Sequence, residues 1–143
     1  MEIVQLLAPD TTDLERLDCN FRDYLASEYP GLAAESEDKK FLYSAFEQAE
    51  FIGGISGAVY WNGLEIDTLW VRQDYRGKGI GRELLAAAEN YARDNEAVIA
   101  FLKTVDAREF YEHCGYRVFG MLEDRPLGTL LYHMKKRLDG KKA

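Results

Sequence analysis

The chain has 143 residues, 47% of them hydrophobic and 30% charged, with nine Tyr and seven Phe. That suits one domain over residues 1–143 and argues against disorder. The net charge of -7 argues against a nucleic-acid partner, which clustered Lys and Arg would hold, and permits a cationic one. Cys19 and Cys114 lack CxxC spacing, and His113 and His133 form no metal signature. A disulfide framework and a bound metal are therefore not expected. No basic-then-apolar leader and no apolar run near the ~20 residues of a membrane span is visible. The sequence reads as cytoplasmic, with no membrane partner.

In chain order, residues 2–7 read as a strand ended by Ala8-Pro9-Asp10. Thr12 and Glu15 have capping-box spacing, and Leu14, Leu17, Phe21, Tyr24 and Leu25 recur at helical period behind them. Pro30-Gly31 breaks that helix, and residues 31–40 read as a short second helix or a loop. Residues 41–48 and 51–60 are apolar, aromatic runs joined by a tight connection at Ala49-Glu50. Trp61-Asn62-Gly63 signals a further hairpin before a strand at 64–71. Gly53, Gly54 and Gly57 within this meander suggest a bulge or a close approach of backbones.

Residues 72–79 are polar and glycine-rich. From Gly79 to Asp94, Ile80, Leu84, Leu85, Ala88, Tyr91 and Ala92 make a helical apolar face. Residues 97–102 are continuously apolar, as a strand buried on both faces would be. Residues 107–114 read as a short helix ended by Gly115, and residues 116–121 and 130–138 as the last strands. Lys135, Lys136, Arg137, Lys141 and Lys142 read as a solvated basic end. The expected class is α+β: a mixed, mostly antiparallel central sheet flanked by helices, in the order β-α-α-β-β-β-α-β-α-β-β.

The segment with chemical content runs from Leu69 to Arg82, between a strand and a helix. A glycine-rich turn there can aim several backbone N–H groups at an anion, with the positive end of the helix dipole behind them. Arg72, Arg76, Lys78 and Arg82 add charge. The order of residues is neither a Walker A loop nor GxGxxG.

Arg76-Gly77-Lys78-Gly79-Ile80-Gly81 resembles the pyrophosphate loop of the GNAT acetyltransferase superfamily, with its pattern [Q/R]-x-x-G-x-[G/A]. Ala107-x-x-x-Tyr111-x-x-x-Gly115-Tyr116 resembles a second segment of that family. The resemblance implies acetyl-CoA as cofactor and an amine as acceptor. It places the pyrophosphate on Arg76, Gly77, Lys78, Gly79, Ile80, Gly81 and Arg82, and the pantetheine arm along the main chain of Leu69 and Val71. Thr104 stands where the family often has an Asn beside the arm. Tyr111 matches the position whose hydroxyl contacts the departing sulfur. A carboxylate on the strand before the loop often acts as base. Glu65, Asp67 and Leu69 alternate onto one face of a regular strand, which makes Asp67, then Glu65, the candidates. Glu123 and Arg125 are further candidates for the acceptor site. Attack is expected to be direct, since neither Cys has an evident activating partner. Many members of the family are homodimers. The alternative is a non-catalytic acetyl-CoA-binding sensor.

Overall fold

The computed structural model describes residues 1–33 and 38–141, and the chain divides into two units, Met1–Ser36 and Glu37–Ala143. In the first, helix α1 (Thr11–Glu28) starts from Asp10, whose carboxylate accepts the Asp13 N–H at 2.8 Å. The Asp13 carboxylate accepts the Asp10 N–H at 3.1 Å in return. This reciprocal cap lies two residues before the expected Thr12/Glu15 pair. The extended backbone of Asp10 (φ -86°, ψ 178°) frees its side chain to cap, whereas Thr12 is already helical. A short α2 (Pro30–Ala33) follows. Residues 34–37, inside the expected 31–40 element, lie outside the described residues. The strand expected at residues 2–7 does not form. A strand exists by pairing with another, and among the described residues of this unit the only regular elements are helices.

The second unit holds β1 (Lys39–Glu47), β2 (Glu50–Tyr60), β3 (Gly63–Val71), α3 (Ile80–Asp94), β4 (Ile99–Thr104), α4 (Arg108–His113), β5 (Arg117–Glu123) and β6 (Leu130–Arg137). The six strands form one sheet in the order β1-β2-β3-β4-β6-β5. Both early hairpins turn through paired left-handed residues, Gln48 and Ala49 (φ 49° and 67°), then Trp61 and Asn62 (φ 47° and 57°). Gly63 already pairs with Tyr60, so the second turn falls one residue before the Asn-Gly signal.

Helix α3 lays Leu84, Leu85, Ala88 and Ala92 on β1, β2 and β3, over a core that includes Ile55, Val59, Leu64 and Met134. Strand β4 buries Ala100, Leu102 and Thr104, while Ile99 and Phe101 are half-buried and Lys103 is exposed. It is therefore less enclosed than its apolar run predicts. Glu89, on the inner face of α3, is 5% exposed. It accepts hydrogen bonds from Lys136 Nζ at 2.8 Å and the Tyr116 hydroxyl at 3.1 Å. A buried carboxylate needs such partners, and these tie α3 to β6. Lys136 thus belongs to the packed structure rather than to a solvated end, and Arg137 pairs with Asp139 at 2.6 Å. Lys142 lies outside the described residues. No helix among the described residues is long and apolar enough to cross a membrane.

One departure from regularity shapes the unit. Every neighbouring pair of strands is antiparallel except β3 and β4, which run parallel. They pair at only three positions, Gly63↔Ile99, Leu64↔Ala100 and Glu65↔Phe101. Directly after the last pair β3 carries a bulge: Gly57 faces Ile66 and Ser56 faces Thr68, leaving Asp67 as the extra residue. A bulge bends its strand and ends regular pairing. It also reverses the alternation. Leu64 and Ile66 face the core before it, Leu69 and Val71 after it. Glu65 and Leu69 therefore lie on opposite faces, contrary to the strict alternation expected from the sequence.

Gly57 makes the bulge possible. A Cβ there would run into the Glu65 carbonyl and come within 2.9 Å of the Phe41 ring. Gly57→Ala should therefore cost about 2 kcal/mol, in the range of an overpacked core. Urea unfolding checks this, and an unchanged midpoint would contradict it.

Candidate functional site

The loop from β3 to α3 leaves main-chain donors free. Gly77 (φ +75°) and Gly79 (φ +86°) are left-handed, a conformation that disfavours any side chain with a Cβ. The position each Cβ would take is open space, so room is left on that side of the backbone. Gly81 is different. A Cβ there would meet the Phe110 ring at 3.2 Å, so this glycine lets α4 approach α3. The first helical bond runs from the Glu83 N–H to the Gly79 carbonyl at 3.0 Å. The N–H groups of Ile80, Gly81 and Arg82 find no acceptor among the described residues. Three unpaired donors at the positive end of a helix can hold an anion.

The charged side chains divide by role. Arg72 is committed to structure: it pairs with Asp74 at 2.7 Å and Glu50 at 3.1 Å and lies over the Tyr75 ring. Arg76 donates its Nε to the Val71 carbonyl at 2.8 Å, which fixes the loop to the end of β3. That carbonyl is therefore already occupied. Lys78 lies over the Tyr75 ring, its Nζ 4.9 Å from the ring centre. Arg82 has no ion pair among the described residues and borders the cleft.

Two cavities meet at the parting of the strands. The larger, about 840 Å³, runs along the loop and is bordered by Leu69, Val71, Arg76, Gly77, Gly79, Ile80, Gly81 and Arg82 from the expected set. The smaller, about 310 Å³, is bordered by Asp67 and Thr104. Leu69 and Tyr111 border both. Glu65 borders neither: it accepts the Tyr60 hydroxyl at 3.1 Å. Lys78, Glu123 and Arg125 also border neither. The Thr104 hydroxyl accepts the Ala107 N–H at 3.0 Å, a bond that shapes the turn into α4. Sequence reasoning passed over Trp70, Tyr75, Asp106, Arg108 and Tyr132, which also line the larger cavity. Trp70 and Tyr75 lie inside the Leu69-to-Arg82 segment, Arg108 inside the Ala107-to-Gly115 segment and Asp106 directly before it, whereas Tyr132 carried no signal.

Tyr111 is 6% exposed, held between Phe110 and Tyr116 with ring centres 5.1 and 5.7 Å away. Its hydroxyl has no hydrogen-bond partner among the described residues, yet no fully buried polar side-chain atom among them is left unpaired. The hydroxyl therefore opens onto the cavities. Burial, with smaller contributions from Cys114 and Asp106, pushes its pKa up to about 12. The Cys114 thiol is also raised by burial, against the opposing pull of Arg82 and Lys136.

An anion cradle beside a parted sheet, with a cavity on each side of the junction, has the form of a two-substrate transferase. Residues 2–116 match the acetyltransferase (GNAT) family, and the chain belongs to it. As a member it is an acetyltransferase, with acetyl-CoA as its donor. It is 37% identical to blasticidin-S acetyltransferase of Streptomyces morookaense over 112 residues, 76% of this chain and 82% of that one. It is 28% identical to streptothricin acetyltransferase of Escherichia coli over 105 residues, 70% of this chain and 57% of that one. A crystal structure of an acetyltransferase from Bacillus cereus superposes with a TM-score of 0.81 at 25% identity, covering 94% of this chain and 97% of that one. A structure of an aminoglycoside 6'-N-acetyltransferase with coenzyme A shares the fold, with a TM-score of 0.66 at 19% identity over the whole of both chains.

The Tyr111 shift has a consequence for stability. An unfolded Tyr titrates near 10, so between about pH 10 and pH 12 the native state keeps a proton that the unfolded state has lost. The stabilisation is complete below pH 10 and disappears as pH rises through the folded value. Two units correspond to about 3 kcal/mol. The fall in urea midpoint from pH 9 to pH 12 should therefore be shallower in Tyr111→Phe than in the wild type; parallel falls would contradict it.

Proposed function

We propose that this acetyltransferase modifies the primary amine of a small-molecule acceptor by direct attack, with the two substrates meeting where β3 and β4 part. The observation that carries this reading is the pair of cavities joined at Leu69 and Tyr111. The larger has the anion cradle at its mouth, and the smaller has Asp67 on its wall. A cofactor arm entering from one side and an acceptor from the other would be held end to end, which removes most of the entropic barrier to their meeting.

Acetyl-CoA supplies an acetyl thioester activated for attack. The N–H groups of Ile80, Gly81 and Arg82 would hold its pyrophosphate, with Arg76 and Arg82 adding charge and Gly77 and Gly79 leaving room. Past Glu65 the edge of β3 has no ladder with β4, so the main chain at Leu69 can bind the arm. The Tyr111 hydroxyl keeps its proton at neutral pH. It serves as a hydrogen-bond donor to the departing sulfur. Giving its proton away outright to a thiolate that titrates near 8.5 would be uphill by ~3.5 units. Asp67 takes the amine proton, directly or through water. Glu65 is turned to Tyr60 and is not suited to that role. Cys114 borders neither cavity, and burial keeps it a thiol, which favours direct attack over a covalent enzyme intermediate. Similarity to enzymes named for blasticidin S and streptothricin supports a small-molecule acceptor.

Coenzyme A release measured over a panel of amines that includes both antibiotics tests this reading. With the best acceptor, Asp67→Asn should lower kcat/KM by ~10²-fold or more, while Glu65→Gln stays near the wild type. Tyr111→Phe should lower kcat and leave the KM for acetyl-CoA nearly unchanged. A fully active Asp67→Asn enzyme would remove Asp67 from the mechanism.

A further inference from the structure

We infer that Asp106 is a second acceptor-reading carboxylate, and that the smaller cavity selects acceptors carrying two positive charges: the reacting amine and one further cation. This deepens the functional reading above and rests on it. The cavity, about 310 Å³, has two carboxylates on its wall from two different elements. Asp67 comes from the bulge in β3, and Asp106 from the turn between β4 and α4. Neither has an ion pair or a side-chain hydrogen bond among the described residues. Lys103 also borders the cavity, but it lies in no ion pair with either carboxylate. The hydroxyl of Tyr111, on a side chain only 6% exposed, opens at the same place without a partner.

The position of Asp106 sharpens the argument. It borders the larger cavity as well as the smaller, and so stands at their junction. Arg76, Arg82 and Arg108 border the larger cavity, where the anionic cofactor would lie, but Lys103 is the one cation among the described residues bordering the smaller, so its two carboxylates favour an acceptor that brings positive charge. One carboxylate is enough to take the proton of the reacting amine. The second is left to bind a cation that does not react. A cavity of this size is at the lower end for small-molecule sites, so both charges must lie close together.

Calorimetric titration of the protein saturated with coenzyme A tests this, using 1,4-diaminobutane and 1-aminobutane as probes. The diamine should bind at least ~10-fold more tightly to the wild type, on the scale of one charge-assisted contact. Asp106→Asn should cut that advantage to under ~3-fold without weakening coenzyme A binding; Asp106→Ser, smaller and uncharged, should do the same and serves if the first variant is poorly folded. Equal binding of the two probes by the wild type, or a preference that survives both substitutions, overturns the inference. If that occurs while 1-aminobutane still drives coenzyme A release, the functional reading stands without it. A wild type that binds no coenzyme A overturns both.

Discussion

The interaction on which the rest of the structure depends is one that stops. Strands β3 and β4 hold each other for three residue pairs and then part. A continuous ladder there would satisfy every main-chain group internally and leave nothing for a ligand. Ending it exposes an edge of β3 in the middle of the sheet, where both sides are otherwise walled by packed structure. The bulge at Asp67 is the local cause, and Gly57 opposite is what the bulge requires. The same residue that breaks the ladder is thereby placed on the wall of the smaller cavity. Site and distortion share one origin.

Rigid elements surround the opening. Helix α3 is fixed to the sheet by its apolar face and by the buried contacts of Glu89 with Lys136 and Tyr116. Its first turn is therefore held in place with unpaired donors outward. Arg76 anchors the loop to Val71, and Arg72 anchors its start to Glu50 and Asp74. Phe110 packs against Gly81, which brings α4, and with it Tyr111, close to the helix that carries the cradle. The donors and the tyrosine are thus set by packing before any ligand arrives, which lowers the ordering cost of binding.

Much of this was legible in the sequence because it depends on local rules. The apolar period of α3, the glycines of the loop and the segment from Ala107 to Tyr116 each act through neighbouring residues. What could not be read depends on partners distant in the chain. Strict alternation put Glu65, Asp67 and Leu69 on one face, since nothing in β3 alone announces that Gly57 will face a bulge. Lys136 looked solvated because Glu89 is 47 positions away. Residues 2–7 have strand composition, but composition supplies no partner. That a Cβ at Gly81 would meet the Phe110 ring was likewise invisible, because Phe110 lies far along the chain.

On the proposed function, the open edge of β3 and the first turn of α3 together hold the cofactor through main-chain donors. Hydrogen–deuterium exchange, resolved by residue with and without coenzyme A, tests it most directly. Exchange at Ile80, Gly81 and Arg82, and along residues 69–71, should slow by ~10-fold or more on binding, while the far end of α3 is unchanged. Binding that leaves those amides exchanging at their free rate would contradict it.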